Sequence, residues 1–300
     1  MCYAQSRLPS PVYVRNRLTL RLMSMVDDLA LMAGAPAKVV LVIAGSDSSG
    51  GAGIQADIKT GAAFGVHVAT AITAVTAQNS LAVRRVYALP VAEVLAQIEA
   101  VWEAMPVTAI KVGMLANPDI LLAVSDWLGG RDLPIVVDPV LGATSGGRLF
   151  SERDCAQIYT QHLLPLASVL TPNLQEAAQL LGVPPAVSYD QIAEQAMALQ
   201  TLGPQAVLLK GGHGDLPLAA DYLAFGTDVT PFSTPRIDST HTHGGGCSLA
   251  SAIAAGLAQG LEIKAAVAAA KTYIQGAIRH SERLGLAPQN GPIHHFYQYW

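Results

Sequence analysis

The segment His243-Gly244-Gly245-Gly246-Cys247-Ser248 holds the residue types that phosphoryl chemistry needs, in one short stretch. Glycines let a backbone curl and aim consecutive N–H groups at one point. The small-residue run from Leu249 to Gly256 follows at once and predicts a closely packed helix. A helix N-terminus presents unpaired donors and partial positive charge. Together these make a site for an anion, most often a phosphate. Cys247 stands at its mouth, where a thiol can enter the chemistry.

Two commoner phosphate loops do not fit. A Walker A loop needs Gly-Lys followed by Ser or Thr, and the chain has no Gly-Lys dipeptide. Gly51-Ala52-Gly53-Ile54-Gln55-Ala56 matches the dinucleotide pattern G-x-G-x-x-A, whose partner acid about twenty residues on binds a ribose. No Asp or Glu lies between Asp57 and Glu93. There is no CxxC or HExxH to hold zinc.

Such a constellation needs a scaffold that gathers distant loops. The chain has 300 residues, 51% hydrophobic and 13% charged, which predicts a large core. From Lys38 on, apolar runs alternate with helical patterns. Strands are expected over 39–44, 66–75, 109–112, 134–137, 168–170 and 207–209. Helices are expected over 52–64, 91–105, 119–128, 152–164, 173–181, 189–202, 246–259 and 262–279. Residues 216–237 read as extended edge pieces, because Pro217, Pro231 and Pro235 argue against central strands. The order predicts an α/β fold, a mostly parallel central sheet with helices on both faces, in a single domain over 38–300. Ligands in such folds sit beyond the carboxyl ends of the strands. There the sequence places Ser46-Asp47, Gln78-Asn79, Met114, Asp138, Thr171-Pro172-Asn173 and Lys210-Gly211-Gly212-His213.

Composition excludes several partners. A formal charge of −4 and the lack of a basic stripe give no case for nucleic acid. No apolar run approaches the length of a membrane span. Three scattered cysteines, Cys2, Cys155 and Cys247, point to a reducing, cytoplasmic compartment rather than a disulfide framework. Residues 1–37 read as an extension outside the fold. It carries Arg7, Arg15, Arg17 and Arg21 with no acid before Asp27. That pattern is either transit-peptide-like or the product of a start codon placed too early, with Met23, Met25 and Met32 as later starts.

The motifs taken together resemble the hydroxymethylpyrimidine/phosphomethylpyrimidine kinases of thiamine biosynthesis, in the ribokinase-like superfamily. The stretch 43–57, Ile-Ala-Gly-Ser-Asp-Ser-Ser-Gly-Gly-Ala-Gly-Ile-Gln-Ala-Asp, is similar to the family's opening signature. Thr73 to Ser80, Lys111-Val112-Gly113-Met114-Leu115, Asp138-Pro139-Val140, Thr171 to Ala177, Lys210 to His213 and Gly291 to Phe296 follow in the family's order. The resemblance covers about 38–300.

It implies a role for each loop. Cys247 takes the place of the family's proposed catalytic base, where sugar kinases of the superfamily carry Asp. A thiol at a helix N-terminus is expected to have a lowered pKa and to accept the substrate hydroxyl proton late in transfer. Gly244, Gly245 and Gly246 are expected to present N–H groups to the γ-phosphoryl group. The family's usual Gly-Thr-Gly-Cys has lost its hydroxyl here, since Gly245 replaces the threonine. Gln78 matches a position that contacts the pyrimidine, where an amide both donates and accepts. Gly45 and Asp47 line the same pocket, and Met114 packs on the ring. Met114 as ordinary core and Asp47 as a helix cap are the plainer alternatives. Asn173 and Glu176 match the superfamily's Asn-x-x-Glu element, against the plain reading of a cap and a surface carboxylate. Asn173 and Lys210 are assigned to the nucleotide. Glu176 and Asp138 are assigned to Mg²⁺, partly through water. His243 is read as shaping the turn, and the diverging pair His294-His295 as no metal site.

The implied activity is ATP-dependent phosphorylation of 4-amino-5-hydroxymethyl-2-methylpyrimidine and then of its monophosphate. ATP is the co-substrate, Mg²⁺ the cofactor and the small pyrimidine the partner. A homodimer is compatible with this reading, and the sequence does not fix the oligomeric state. Two alternatives stand beside it, a pyridoxal kinase of the same superfamily and a non-catalytic pyrimidine-binding protein.

Overall fold

Side-chain alternation along the first strand sets the layers. In β1 (Val39–Asp47), Val39, Leu41 and Ile43 join one hydrophobic cluster, and Val40, Val42 and Ala44 join another. Both faces of the strand are covered, as a continuous apolar run demands. The computed structural model describes residues 36–141, 152–212 and 218–300. Most of the expected 1–37 extension, together with His213 and Pro217, lies outside the described residues. Lys38–Trp300 forms one compact unit.

The remaining strands are β2 (His67–Gln78), β3 (Val83–Ala88), β4 (Val107–Val112), β5 (Ile135–Val137), β6 (Val169–Leu170), β7 (Ala206–Lys210), β8 (Leu218–Phe225) and β9 (Asp228–Pro235). They form one sheet in the order β3-β2-β1-β4-β5-β6-β7-β8-β9. Every ladder from β2 to β7 is parallel, while β3, β8 and β9 add antiparallel. Helices α1 (Gly53–Ala63), α7 (Gly245–Ala258) and α8 (Ile263–Arg279) cover one face. The other face carries α2 (Val91–Ala104), α3 (Pro118–Leu128), α4 (Glu152–Ile158), α5 (Leu174–Leu181) and α6 (Tyr189–Gln200). Among the described residues, no helix is long and apolar enough to cross a membrane.

The structure adds detail that the sequence pattern does not carry. β3 was not expected; it is a largely exposed edge strand whose Arg84 and Arg85 break any apolar run and discourage further pairing. β9 is the edge that its prolines demand, but β8 lies inside, between β7 and β9. The helix expected over 152–164 is α-helical only to Ile158. It then widens into a π turn over Tyr159–Leu163 and tightens into a 3-10 turn at Leu164–Leu166, where Pro165 has no N–H to give.

β1 and β4 are neighbours, yet the chain leaves them toward opposite edges of the sheet. That switch opens a crevice beyond the carboxyl ends of the strands. The loops after β1, β4, β5, β6 and β7 all exit there.

Candidate active site

The anion turn is built by backbone collisions that only glycine avoids. Gly244 caps α7 at φ +80, and a Cβ there would run into the carbonyl oxygen of Gly51 in the loop after β1. Ser248 N–H donates to Gly244 O at 2.9 Å, the first helical bond. The N–H groups of Gly244, Gly246 and Cys247 have no acceptor among the described residues. The N–H of Gly245 departs from expectation, because it closes the turn by donating to Thr242 O at 3.0 Å. A Cβ on Gly245 would meet nothing within 4 Å, and its φ is not positive. A Gly245→Thr variant should therefore fold normally. It is expected to raise kcat about tenfold, the worth of one hydrogen bond to a charged group; an unchanged kcat would show that backbone donors suffice.

Asp47 ties this turn to the loop after β1. Its carboxylate accepts from Ser49 N–H (2.8 Å), Ser49 Oγ (2.8 Å), Ala52 N–H (2.8 Å) and His243 Nε2 (2.8 Å). Burial works to raise the carboxyl, and the His243, Ser49 and Ala52 hydrogen bonds outweigh it, holding it at about 2. The carboxylate is thus engaged inside the loop. His243 shapes the turn by reaching back across the chain to Asp47, with its ring against Gly51.

Gly45 and Met114 meet directly, since the Met114 methyl occupies the space that a Gly45 side chain would take. Thr73 Oγ1 holds the Met114 carbonyl at 2.5 Å. Gln78 ends β2, where its backbone exchanges hydrogen bonds with Ser48: Gln78 N–H donates to Ser48 Oγ (2.8 Å), which donates to Gln78 O (2.7 Å). A pocket of about 210 Å³ lies beside it, lined by Ser48, Ala77, Gln78, Asn79 and Arg84. Ser48 and Arg84 were not singled out from sequence.

At the other end of the crevice, Lys210 Nζ donates to Asp138 Oδ1 at 2.9 Å and lies 3.3 Å from where a Gly246 Cβ would be. Asp138 Oδ2 lies 3.8 Å from that same point. Glu176 Oε2 accepts from Asn173 N–H at 2.7 Å, while Asn173 Oδ1 accepts from Gln175 N–H and Glu176 N–H, both at 2.9 Å. This capping box engages the Asn173 oxygen and leaves its amide nitrogen for a ligand. The carboxylate beside it is buried, not at the surface. Burial raises the Glu176 carboxyl to about 7, against the pull of Lys210 and with the push of Asp138. Burial opposes the Lys210 charge, but Asp138 and Glu176 prevail and hold the ammonium charged.

Among the described residues no group of three or more His, Cys, Asp or Glu could hold a metal ion unaided. Mg²⁺ does not need such a cage, because it keeps waters and takes one or two carboxylates plus substrate phosphates. Asp138 and Glu176 each keep one oxygen without a hydrogen-bond partner among the described residues. That donor set fits the ion.

Beneath Cys247 lies a cluster that sequence reasoning missed. Lys111 on β4 and Asp57 on α1 are fully buried and paired, with Ser251 of α7 completing the group. A lysine inside the apolar strand Val107–Val112 was the available signal. The Cys247 thiol itself departs from expectation. Burial pushes it up to about 11, although Lys111 and the Gly53 N–H pull it down, while Asp138 and Asp57 push it further. Desolvation of the thiolate outweighs the helix N-terminus.

Comparison with known proteins gives the family. The model of the family described as phosphomethylpyrimidine kinase matches residues 47–294. A hydroxymethylpyrimidine/phosphomethylpyrimidine kinase of Rhizobium meliloti (strain 1021) is 44% identical over 262 residues, 87% of this chain and 98% of that protein. The crystal structure of phosphomethylpyrimidine kinase from Clostridium difficile 630 is 39% identical with a TM-score of 0.71, covering 80% of this chain and 99% of that one. Bacillus subtilis pyridoxal kinase, solved as an ADP complex, is 35% identical with a TM-score of 0.78, covering 88% of this chain and 99% of that one. Sequence and fold agree, and the chain belongs to the phosphomethylpyrimidine kinase family, with a ribokinase-like fold.

Proposed function

We propose that this protein uses ATP to phosphorylate the hydroxymethyl group of 4-amino-5-hydroxymethyl-2-methylpyrimidine, and then the resulting monophosphate, for thiamine biosynthesis. One observation carries the reading. The N–H groups of Gly246 and Cys247 have no acceptor among the described residues, and Lys210 and Asp138 both lie within 4 Å of where a Gly246 Cβ would be. A transferring phosphoryl group spreads negative charge over its oxygens, and what it needs most is positioning and fixed positive charge. The α7 N-terminus and Lys210 supply both.

The other residues take their places around that group. Gly45, Met114 and Gln78 form the pyrimidine side, and Asp47 with His243 holds the loop after β1. Lys210 and the Asn173 amide face the nucleotide phosphates. Asp138 and Glu176 would hold Mg²⁺, in part through water, and the ion would supply neutralising charge at the phosphates. Cys247 Sγ is the group that takes the hydroxyl proton late in transfer. Near neutrality the sulfur is mostly protonated, so the part of turnover that runs through it grows with pH. The reading places the enzyme in the cytoplasm, with the pyrimidine and ATP as its small-molecule partners.

The test is ADP formation by the purified chain with Mg-ATP and each of three acceptors: the pyrimidine, its monophosphate and pyridoxal. ADP is expected with both pyrimidines at a kcat/KM at least about tenfold above pyridoxal. No ADP with either pyrimidine would overturn the reading, and faster turnover of pyridoxal would move it to that substrate.

A further inference from the structure

Lys111, Asp57 and Ser251 touch none of the groups assigned above to substrate, nucleotide or metal, yet Ser251 lies one helical turn from Cys247 on α7. α1 and α7 bring their N-termini together, since a Cβ on Gly244 would run into Gly51 and Ala52 just ahead of α1. Residues four apart on a helix stack on one face, about 5–6 Å apart. One turn in from Gly53 is Asp57, and one turn in from Cys247 is Ser251. These two meet, with Ser251 Oγ donating to Asp57 Oδ1 at 2.6 Å. Lys111 Nζ closes the group from the sheet, donating to both Asp57 oxygens at 3.0 Å. The ammonium also lies 2.8 Å from where a Gly113 Cβ would be. Gly113 is two residues nearer the carboxyl end of β4, so the lysine leans toward the site.

Stability does not account for such a pair. Desolvating two charges offsets their attraction, and an apolar pair of the same size is often as stable or more so. A charge retained at that depth, one helical turn from the reacting thiol, has an electrostatic use. The groups that bear on Cys247 are Lys111 from β4, Asp57 from α1, Asp138 after β5 and Lys210 from β7.

We propose that Lys111 is a positioning residue for phosphoryl transfer, whose ammonium, clamped by Asp57 and Ser251, is a fixed positive charge beneath Cys247 that favours the thiolate. Its use in turnover rests on Cys247 as proton acceptor. The field at the sulfur does not depend on that role and is measured without turnover.

The experiment is the rate of iodoacetamide alkylation at Cys247 in the full chain, read by peptide mass spectrometry from pH 7 upward. The thiolate is the reacting form, so the rate reports the thiol's ionisation. Lys111→Met should slow alkylation about tenfold at a given pH, and Asp57→Asn, which leaves the ammonium uncompensated, should speed it. Opposite signs from two partners of one ion pair are not produced by loosened packing. Should either single variant fail to fold, Lys111→Met with Asp57→Leu removes both charges together and should still slow alkylation. Equal rates, or shifts of the same sign in the two single variants, would overturn the proposal. In the ADP assay Lys111→Met should lower kcat and leave the KM values unchanged. Altered alkylation without ADP from any pyrimidine would leave the field in place and fault the assigned reaction instead.

Discussion

Gly244→Ala should lower kcat/KM by about 10²–10³-fold, the worth of a preorganised donor at a developing charge. The cause is steric. Gly244 is held at φ +80, and a methyl group there would collide with the carbonyl oxygen of Gly51. The backbone has no flexible tip with which to give way, so the turn must open and carry the N–H groups of Gly246 and Cys247 off their common target. The positive φ adds about 1–2 kcal/mol of strain for any residue with a Cβ. Gly245→Ala is the control, since it adds the same methyl one residue on and meets nothing within 4 Å. Steady-state kinetics with Mg-ATP decide the matter. If both variants turn over alike, the anion turn does not position the phosphoryl group.

Lys210→Met is expected to be as severe for a different reason. Its ammonium lies between Asp138 and the Gly246 turn, and it also offsets the charge of Glu176. Without it two buried carboxylates face each other with no resident cation. Glu176, already raised to about 7, would be driven higher and held neutral at physiological pH. Removing one partner of a buried pair costs about 3–5 kcal/mol, here read as a lower urea midpoint. Loss of the charge beside the phosphates should lower kcat by about 10²–10³-fold. Lys210→Arg should regain the stability, but less of the rate, because a broad planar guanidinium does not occupy the place of a point charge. A Lys210→Met enzyme within about threefold of wild-type kcat would remove Lys210 from the reaction.

Loop positions were the most legible part of this chain. β-branched runs ending in Gly, Asp or Lys marked the strand ends, and a parallel sheet gathers strand ends on one side. β3 was not legible, because an edge strand needs no apolar face and Val83, Val86 and Tyr87 are separated by arginines. Side-chain direction was harder still. Asp47 follows a strand and precedes a helix, which suits a pocket ligand as well as a loop clamp; only the meeting with His243 decides for the clamp. The thiol of Cys247 was read from the helix N-terminus, a local feature. Burial, which depends on elements from across the chain, pushes it the other way. The Lys111–Asp57 pair carried a signal, a lysine within a buried strand, but its partner is 54 residues away.

The join between His243 and Asp47 spans 196 residues, and that between Ser251 and Asp57 spans 194. Contacts this far apart in sequence close late, because the loop entropy must be overcome before they contribute. A chain emerging from the ribosome can build β1 through β7 and still have no phosphate cradle. The cradle comes into being only when α7 docks against the loop made at the start. Catalytic competence is therefore the last property that folding confers on this molecule, and an incomplete chain is a silent one.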